Sequence, residues 1–383
     1  MKNRGSMKKK IALIFGGRSV ERDISIITAF QTKTALDNQK YNVLPIYLYE
    51  GDFYTGDMKG IKDFAPFLPS ANKKLVLFSG VFCLLKKNKL TPLFKPDVVV
   101  NCCHGGEGEN GTIAGILEYN GLPHTSPDLF QSALCMDKTE SKVIFDSMFL
   151  NTAKSISFFR HEYENNVDAI LEKIESRIQY PMIVKPSHLG SSIGIGVATN
   201  QDQLISAIAV AIEFDEKILV EHKLTDFVEV NCAVYGGVNG IVVSTTEQPL
   251  SKSDFLSFED KYSTGKMSGG GHIIPAPISN LNGQIEEITA NIYDKLGLKG
   301  VARIDYLVDI EREKIYVNEI NTVPGSLAHY LFERKGISFG DMLDDIIEYV
   351  EREYLDKKSR IRSFSTGVLD NFKGGTKSQK LKG

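Results

Sequence analysis

The sequence predicts an α/β protein of two or three domains, and three observations carry that prediction. Apolar runs at residues 11–15 and 97–101 end in glycine-rich turns that lead into helical patterns, which is how an open α/β layer begins. A chain of 383 residues exceeds what one ordinary core serves. Near the C-terminus, a hairpin pattern over residues 301–321 carries charged groups where a strand normally buries apolar ones.

Hydrophobic residues make up 42% of the chain and charged residues 24%, the ordinary balance of a globular protein. A net charge of −3 argues against a dedicated nucleic-acid binder. The five cysteines, Cys83, Cys102, Cys103, Cys135 and Cys232, include no CxxC pair and no zinc spacing. Their odd number fits a reducing compartment, and they read as buried small hydrophobes. Cys102 and Cys103 fall on a strand, where neighbours point to opposite faces, so a joint metal or thiol site with His104 is disfavoured. No apolar run approaches the ~20 residues of a membrane helix. The expectation is a cytoplasmic protein with no membrane and no nucleic-acid partner. Residues 1–7 read as a disordered leader, because the apolar run after them is too short for a signal peptide.

Residues 11–15 read as a buried strand, 16–19 as a turn and 24–36 as a helix, an arrangement that can present backbone N–H groups to an anion. Glu21 sits in that turn, where a carboxylate repels phosphate and can hold an ammonium group. The plain alternative is a first-turn acid favoured by the helix dipole. A strand follows at 41–48, and residues 49–96 read as a less regular insertion with one apolar strand near 75–78. The strand at 97–101 runs into His104, Glu107 and Glu109 before a helix at 113–119. Open α/β sheets hold ligands at such strand C-termini.

A helix at 138–148, a strand at 180–185, a Gly/Ser loop at 186–192 and a strand at 193–198 come next. Because that loop joins two strands, neither a P-loop nor a dinucleotide fold fits, and both of their glycine motifs are absent. With Lys185 at its base and the Ser191 and Ser192 hydroxyls, the loop can still close over phosphates. Then come a helix at 201–212, a strand at 218–220 running into Glu221, His222 and Leu224, and strands at 228–235 and 240–244. Residues 250–271 have the length and polarity of a lid. Helices at 285–296 and 339–354 flank the charged hairpin, and residues 357–383 read as a disordered tail.

Within the hairpin, Ala302, Ile304 and Tyr306 alternate with Arg303, Asp305 and Leu307, while Ile315 and Val317 alternate with Tyr316 and Asn318. Symmetry about Arg312 sets Asp305 opposite Glu319 and Arg303 opposite Asn321. Cross-strand Cβ atoms are about 4.5–5.5 Å apart, so facing carboxylates repel unless a cation lies between them. Their oxygens and the Asn321 amide suit Mg²⁺. The plain alternative is a solvated face with an Asp–Arg pair.

Seven stretches, in order from about residue 8 to 354, resemble the D-alanine–D-alanine ligase family of the ATP-grasp superfamily: FGGRSVERDIS, HGGEGENGTIAG, ALCMDKTESK, VKPSHLGSSIGI, LVEHKL with VEVNCAV, FEDKY, and ARIDYLVD with VNEINTVPG. That resemblance implies an ATP-grasp fold. An N-terminal open parallel α/β substrate-binding domain would span 8–126, a small central α+β domain 127–215, and a C-terminal α+β metal-binding catalytic domain 216–356, with ATP between the last two. It implies that Lys138 and Lys185 neutralise ATP phosphates beneath a cover formed by Ser191 and Ser192. Glu221 and the backbone at His222 and Leu224 would read adenine, and Glu229 would hold the ribose. Asp305, Glu319 and Asn321 would hold two Mg²⁺ ions, with Mn²⁺ as an alternative. Glu21 would hold the ammonium of the first amino acid, with His104 near its carboxylate. Lys261 and Tyr262 would close the lid, Arg303 and the Gly325 N–H would stabilise the oxyanion, and Tyr330 would face substrate. Small-molecule substrates and a homodimer are also implied.

The implied reaction is ATP- and Mg-dependent formation of D-alanyl-D-alanine for peptidoglycan, through an acylphosphate. The chain departs from the family after NTVPG, where it reads SLAHYLF in place of small hydroxyl residues that dock the second substrate's carboxylate. Leu327, Ala328 and Tyr330 are expected to remove several donors. Phe258 stands where tyrosine is common, Arg22 where histidine is common, and Asn110 where aspartate is common. The competing readings are a paralogous ligase with another amine or hydroxy-acid acceptor, and a nucleotide-binding regulator without turnover. The retained Arg303, metal set and lysines argue against the regulator.

Overall fold

A computed structural model of the chain describes residues 7–250 and 271–361. Strand β1 (Lys9–Gly16) is buried over its last six residues, and it pairs in parallel with β2 (Tyr41–Tyr49) and β7 (Val98–Asn101). The crossover from β1 to β2 is the helix Arg22–Ala35, whose Ser25 hydroxyl accepts from Gly16 N–H at 2.6 Å and donates to Cys102 O at 2.7 Å. One side chain thus ties the C-terminal ends of β1 and β7 to the helix start. Cys102 packs with Leu13 and Phe15, and Cys103 packs with Ala12 and Ile14, so the two sit on opposite faces. All five cysteines are buried and free.

The region 49–96 is more regular than its sequence indicates. Antiparallel strands β3 (Asp52–Thr55), β4 (Lys73–Phe78), β5 (Val81–Lys86) and β6 (Lys89–Phe94) extend the sheet to seven strands in the order β6-β5-β4-β3-β2-β1-β7. These strands are short and β6 is almost wholly exposed, so apolar alternation is faint. Phe64 and Phe67 lie with ring centroids 4.7 and 4.6 Å from Tyr47, anchoring the β3–β4 connection to the buried face of β2.

A second sheet is antiparallel throughout: β8 (Ser155–Phe159), β9 (Met182–Pro186), β10 (Gly196–Ala198) and β11 (Lys217–His222), in the order β10-β9-β11-β8. The helices Val167–Glu175 and Gln201–Ala211 share its core. Strand β11 pairs on both sides within this sheet, so the sheet includes residues as far as His222. The apolar run 218–220 carries no local mark of its partners.

The third sheet holds β12 (Val228–Gly237), β13 (Gly240–Val243), β16 (Val301–Asp309) and β17 (Lys314–Asn321), ordered β13-β12-β16-β17. Two short strands, β14 (Gln248–Pro249) and β15 (His272–Ile273), pair at either end of residues 251–270. The expected lid, with Phe258, Lys261 and Tyr262, falls in that stretch and lies outside the described residues. The last helix runs Phe339–Ser359, so residues 357–359, expected in the tail, are helical. Met342, Ile346 and Val350 of this helix join Ile26 and Ala29 of the helix after β1 in one core, which couples the first and third sheets. Among the described residues, no helix is long and apolar enough to cross a membrane.

Candidate active site

Two cavities meet where the three sheets converge. The larger, of about 390 Å³, is lined by the first and third sheets, and the smaller, of about 130 Å³, by the second and third. Both are lined by Lys138, Gly190, Ser191, Asn231, Arg303 and Glu319.

The β16–β17 hairpin forms the floor of the junction. Arg303 is the register partner of Asn321, and Asp305 that of Glu319. The Arg303 guanidinium holds Asp305 through two bonds, Nε to Oδ1 at 2.7 Å and Nη2 to Oδ2 at 2.8 Å. Asn321 Nδ2 donates to Asp305 Oδ2 at 3.0 Å, and Lys138 Nζ lies 3.4 Å from Glu319 Oε2. Each carboxylate therefore has a cation beside it, and the Asp–Arg pair of the plain reading coexists with the facing acids. Two carboxylates and an amide are hard oxygen donors that fit a divalent cation.

Lys138 opens the helix Lys138–Ser147, and Asp137 caps it by accepting from Thr139 N–H at 2.9 Å and Glu140 N–H at 3.3 Å. The same carboxylate accepts from Ser187 Oγ at 2.7 Å, lies 3.1 Å from His188 Nε2 and meets Lys217 Nζ at 2.8 Å. Hydrogen bonds donated to Asp137 and Asp215 raise the His188 imidazole to about 9 against the effect of burial, so His188 is a cation at neutral pH. This network fastens the Gly/Ser loop to the helix carrying Lys138, whose Nζ donates to Leu189 O at 2.6 Å. Ser191 and Ser192 sit in the loop at φ +54° and +59°, left-handed conformations uncommon for side-chain-bearing residues.

The smaller cavity is lined by Lys185, Glu221, His222, Leu224, Glu229 and Asp305, among others. Glu221 is buried between Lys185 Nζ at 2.5 Å and Lys142 Nζ at 2.7 Å. Burial alone would raise its carboxyl, yet the two lysines outweigh that and hold it at about 2. Lys142 is absent from the sequence reading, although its spacing from Lys138, one helical turn on, marks it as sharing that face.

At the far end of the larger cavity, Ser191 Oγ donates to Glu21 Oε1. Gly105 lies against Glu21: at φ +65°, a Cβ there would stand 2.6 Å from Oε2. His104 is buried, with Nε2 2.7 Å from Thr28 Oγ1 and Nδ1 2.5 Å from Val323 O. Burial lowers its pKa despite the Glu21 charge, so the ring is neutral. Thr28 Oγ1 also accepts from Ser326 N–H at 3.0 Å, which sets the segment Gly325–Leu331 against the helix after β1. Glu109 lines this end too, its carboxyl pushed well above the usual range by burial and then by Glu21.

In the SLAHYL segment, Leu327 and Ala328 are buried in the shared core. Tyr330 lines the larger cavity, and its hydroxyl donates to Glu247 Oε1 at 2.8 Å. Glu247 and His272, which also line this cavity, escaped sequence reading because nothing in TTEQP or GGHII distinguishes them from loop residues. Lys261 and Tyr262 lie outside the described residues.

Residues 10–127 match the family described as D-ala D-ala ligase N-terminus, and residues 144–348 that described as D-ala D-ala ligase C-terminus. A D-alanine–D-alanine ligase from Thermosipho melanesiensis is 38% identical over 371 residues, covering 94% of this chain and 98% of that protein. One from Chloroherpeton thalassium is 35% identical, covering 92% and 99%. The solved VanG D-Ala:D-Ser ligase from Enterococcus faecalis superposes with a TM-score of 0.76 at 30% identity, covering 90% of this chain and 99% of that chain.

Proposed function

The chain belongs to the D-alanine–D-alanine ligase family of ATP-grasp enzymes, and from that premise we propose the roles of its two cavities. The reaction is ATP-driven formation of D-alanyl-D-alanine, a carbon–nitrogen ligation that supplies peptidoglycan precursor. ATP occupies the smaller cavity. Lys138 and Lys185 neutralise its phosphates beneath Ser191 and Ser192, the Glu221–Leu224 edge meets adenine, and Glu229 meets the ribose. Asp305, Glu319 and Asn321 hold Mg²⁺, two ions in the full complement. A metal ion held there would supply positive charge to the phosphate oxygens, beside that of Lys138 and Lys185.

The first D-alanine lies in the larger cavity, its ammonium on Glu21 and its carboxylate near His104, turned toward the junction. That carboxylate takes the γ-phosphoryl group, and the amine of the second D-alanine then displaces phosphate through a tetrahedral intermediate. Arg303 and the Gly325 N–H face the oxygen on which charge develops. Lys261 and Tyr262 close the site against water, which would hydrolyse the acylphosphate. A cytoplasmic homodimer acting on small molecules completes the reading.

One observation carries this assignment: the nucleotide-side and amino-acid-side residues line separate cavities that join at Arg303, Lys138 and Glu319. A different acceptor is the second reading, supported by the buried Leu327 and Ala328 in the acceptor segment. Magnesium-dependent phosphate release from ATP, with D-alanine as sole amino acid and the product weighed by mass spectrometry, tests both. A D-alanyl-D-alanine mass is expected. Phosphate without dipeptide would favour another acceptor, and no phosphate would overturn the ligase assignment.

A further inference from the structure

We infer that Lys142 is a positioning residue for the nucleotide: it holds Glu221 as the acceptor for the base's exocyclic amine while Lys185 turns to the phosphates. The inference rests on the ligase reading above, which puts ATP in the smaller cavity, and it adds what keeps the base-reading acid in place. Glu221 and Lys185 line that cavity, whereas Lys142 does not. Lys142 therefore acts through Glu221.

The three side chains form one buried cluster. Glu221 on β11 is 3% exposed, with Lys185 Nζ of the neighbouring strand β9 at 2.5 Å from its Oε2 and Lys142 Nζ at 2.7 Å from its Oε1. The Lys142 ammonium also donates to Ala153 O at 3.3 Å, and Ala153 lines the same cavity. Contacts from two different segments thus fix its position. Lys142 stands one helical turn beyond Lys138, about 6 Å along the axis, so a single helix carries a phosphate lysine and the counter-ion of the acid that meets the base.

Phosphates compete with Glu221 for the Lys185 ammonium, since both are anions that form charge-assisted bonds with it. As Lys185 turns to them, Glu221 keeps one close counter-ion, Lys142. A buried carboxylate stripped of its cations is strongly destabilised, whereas one that retains a partner stays ionised. Lys142 and Lys185 are the charges acting most strongly on Glu221, and Asp146 acts in turn on Lys142. The remaining pair also gains from the shift. Burial lowers the Lys142 ammonium against the Glu221 charge, and Lys185 lowers it further, so withdrawing Lys185 lets Lys142 hold its proton more firmly. Glu221 Oε1 takes no aligned hydrogen bond despite the nearby ammonium. The exocyclic amine of adenine brings a donor to this carboxylate, and the carbonyl of hypoxanthine brings none.

The test measures equilibrium binding of Mg-ATP and Mg-ITP, together with D-alanine-dependent phosphate release, in wild type, Lys142→Met and Lys142→Arg. Lys142→Met is expected to weaken ATP binding about 10–100-fold and ITP binding less than about threefold, so the preference for the amine-bearing base narrows. Lys142→Arg, which keeps the charge, should retain most of that preference. In Lys142→Met the withdrawal of Lys185 leaves Glu221 bare, so its carboxyl pKa is higher in the complex than before binding and a proton is taken up. ATP affinity in that variant, relative to wild type, should therefore weaken as pH climbs from about 6 to about 8. The protonated carboxyl can donate to the carbonyl of ITP, which offsets the loss there. Should Lys142→Met fail to fold, Lys142→Gln gives the same two readouts. Equal losses for ATP and ITP, or a pH profile parallel to wild type, would overturn the role of Lys142 alone. A wild type that binds no ATP and releases no phosphate with D-alanine would overturn the ligase reading.

Discussion

Asp305 and Glu319 face each other across β16 and β17 because the two strands shift register by one residue between Asp305 and Tyr306. On the turn side of the shift Tyr306 pairs with Val317, and on the other side Asp305 pairs with Glu319, leaving Asn318 as the extra residue of a bulge. Ile315, Val317 and Ile320 stay in the core with Ile304 and Tyr306. In a regular strand, Glu319 and Asn321 would share the buried face of Ile315 and Val317. The bulge turns them to the cavity instead.

Glu319→Gln removes one of two facing carboxylates while keeping its size. The magnesium activation midpoint should rise at least tenfold and turnover should fall with it, measured as phosphate release against metal concentration. An unchanged titration would remove Glu319 from the metal set.

Arg303→Ala should cut turnover by roughly 10²–10³, the usual cost of an oxyanion donor, with little change in ATP affinity. Equilibrium nucleotide binding and turnover, measured on the same preparation, separate the two. Parallel losses would make Arg303 a binding residue, acting through Asp305.

His188 offers a pH signature of stability. Its pKa rises from the ordinary ~6.5 in the unfolded chain to about 9 in the fold, so its contribution is complete below about pH 6.5 and is lost as pH climbs through 9. Because the side chain is 42% exposed, solvent screening leaves roughly 1–2 kcal/mol of the effect. Wild type should melt above His188→Gln at pH 6, and the gap should shrink by pH 9.5. A gap constant with pH would mean that packing, not charge, holds the loop.

Gly300→Ala should destabilise by about 3 kcal/mol or more. Gly300 has φ +65°, and an added Cβ would stand 1.6 Å from Thr125 O, backbone that joins the first sheet to the start of β16. Thermal melting or soluble yield reads the effect, and a melting temperature within 2 °C (about) of wild type would show that the 125–126 backbone yields freely.

Much of the fold was legible where the chemistry is local. The strand–turn–helix at β1, the apolar run of β7 and the charged hairpin are each written in consecutive residues, because backbone sterics and side-chain alternation act over a few positions. The Lys138, Lys185 and Ser191 stretches were readable for the same reason. Strands β3, β5 and β6 were not, since short, half-exposed strands carry little alternation and are held by neighbours already in the sheet. Nor was the sheet to which β11 belongs.

By itself the sequence determined which residue types reach each element, and hence the nucleotide and metal chemistry available to the chain. Tertiary structure alone decided the bulge at Asn318 and the meeting of Glu247, His272 and Tyr330. Those contacts join residues 25 to 83 positions apart. Their geometry depends on register and packing between strands, which no local propensity encodes.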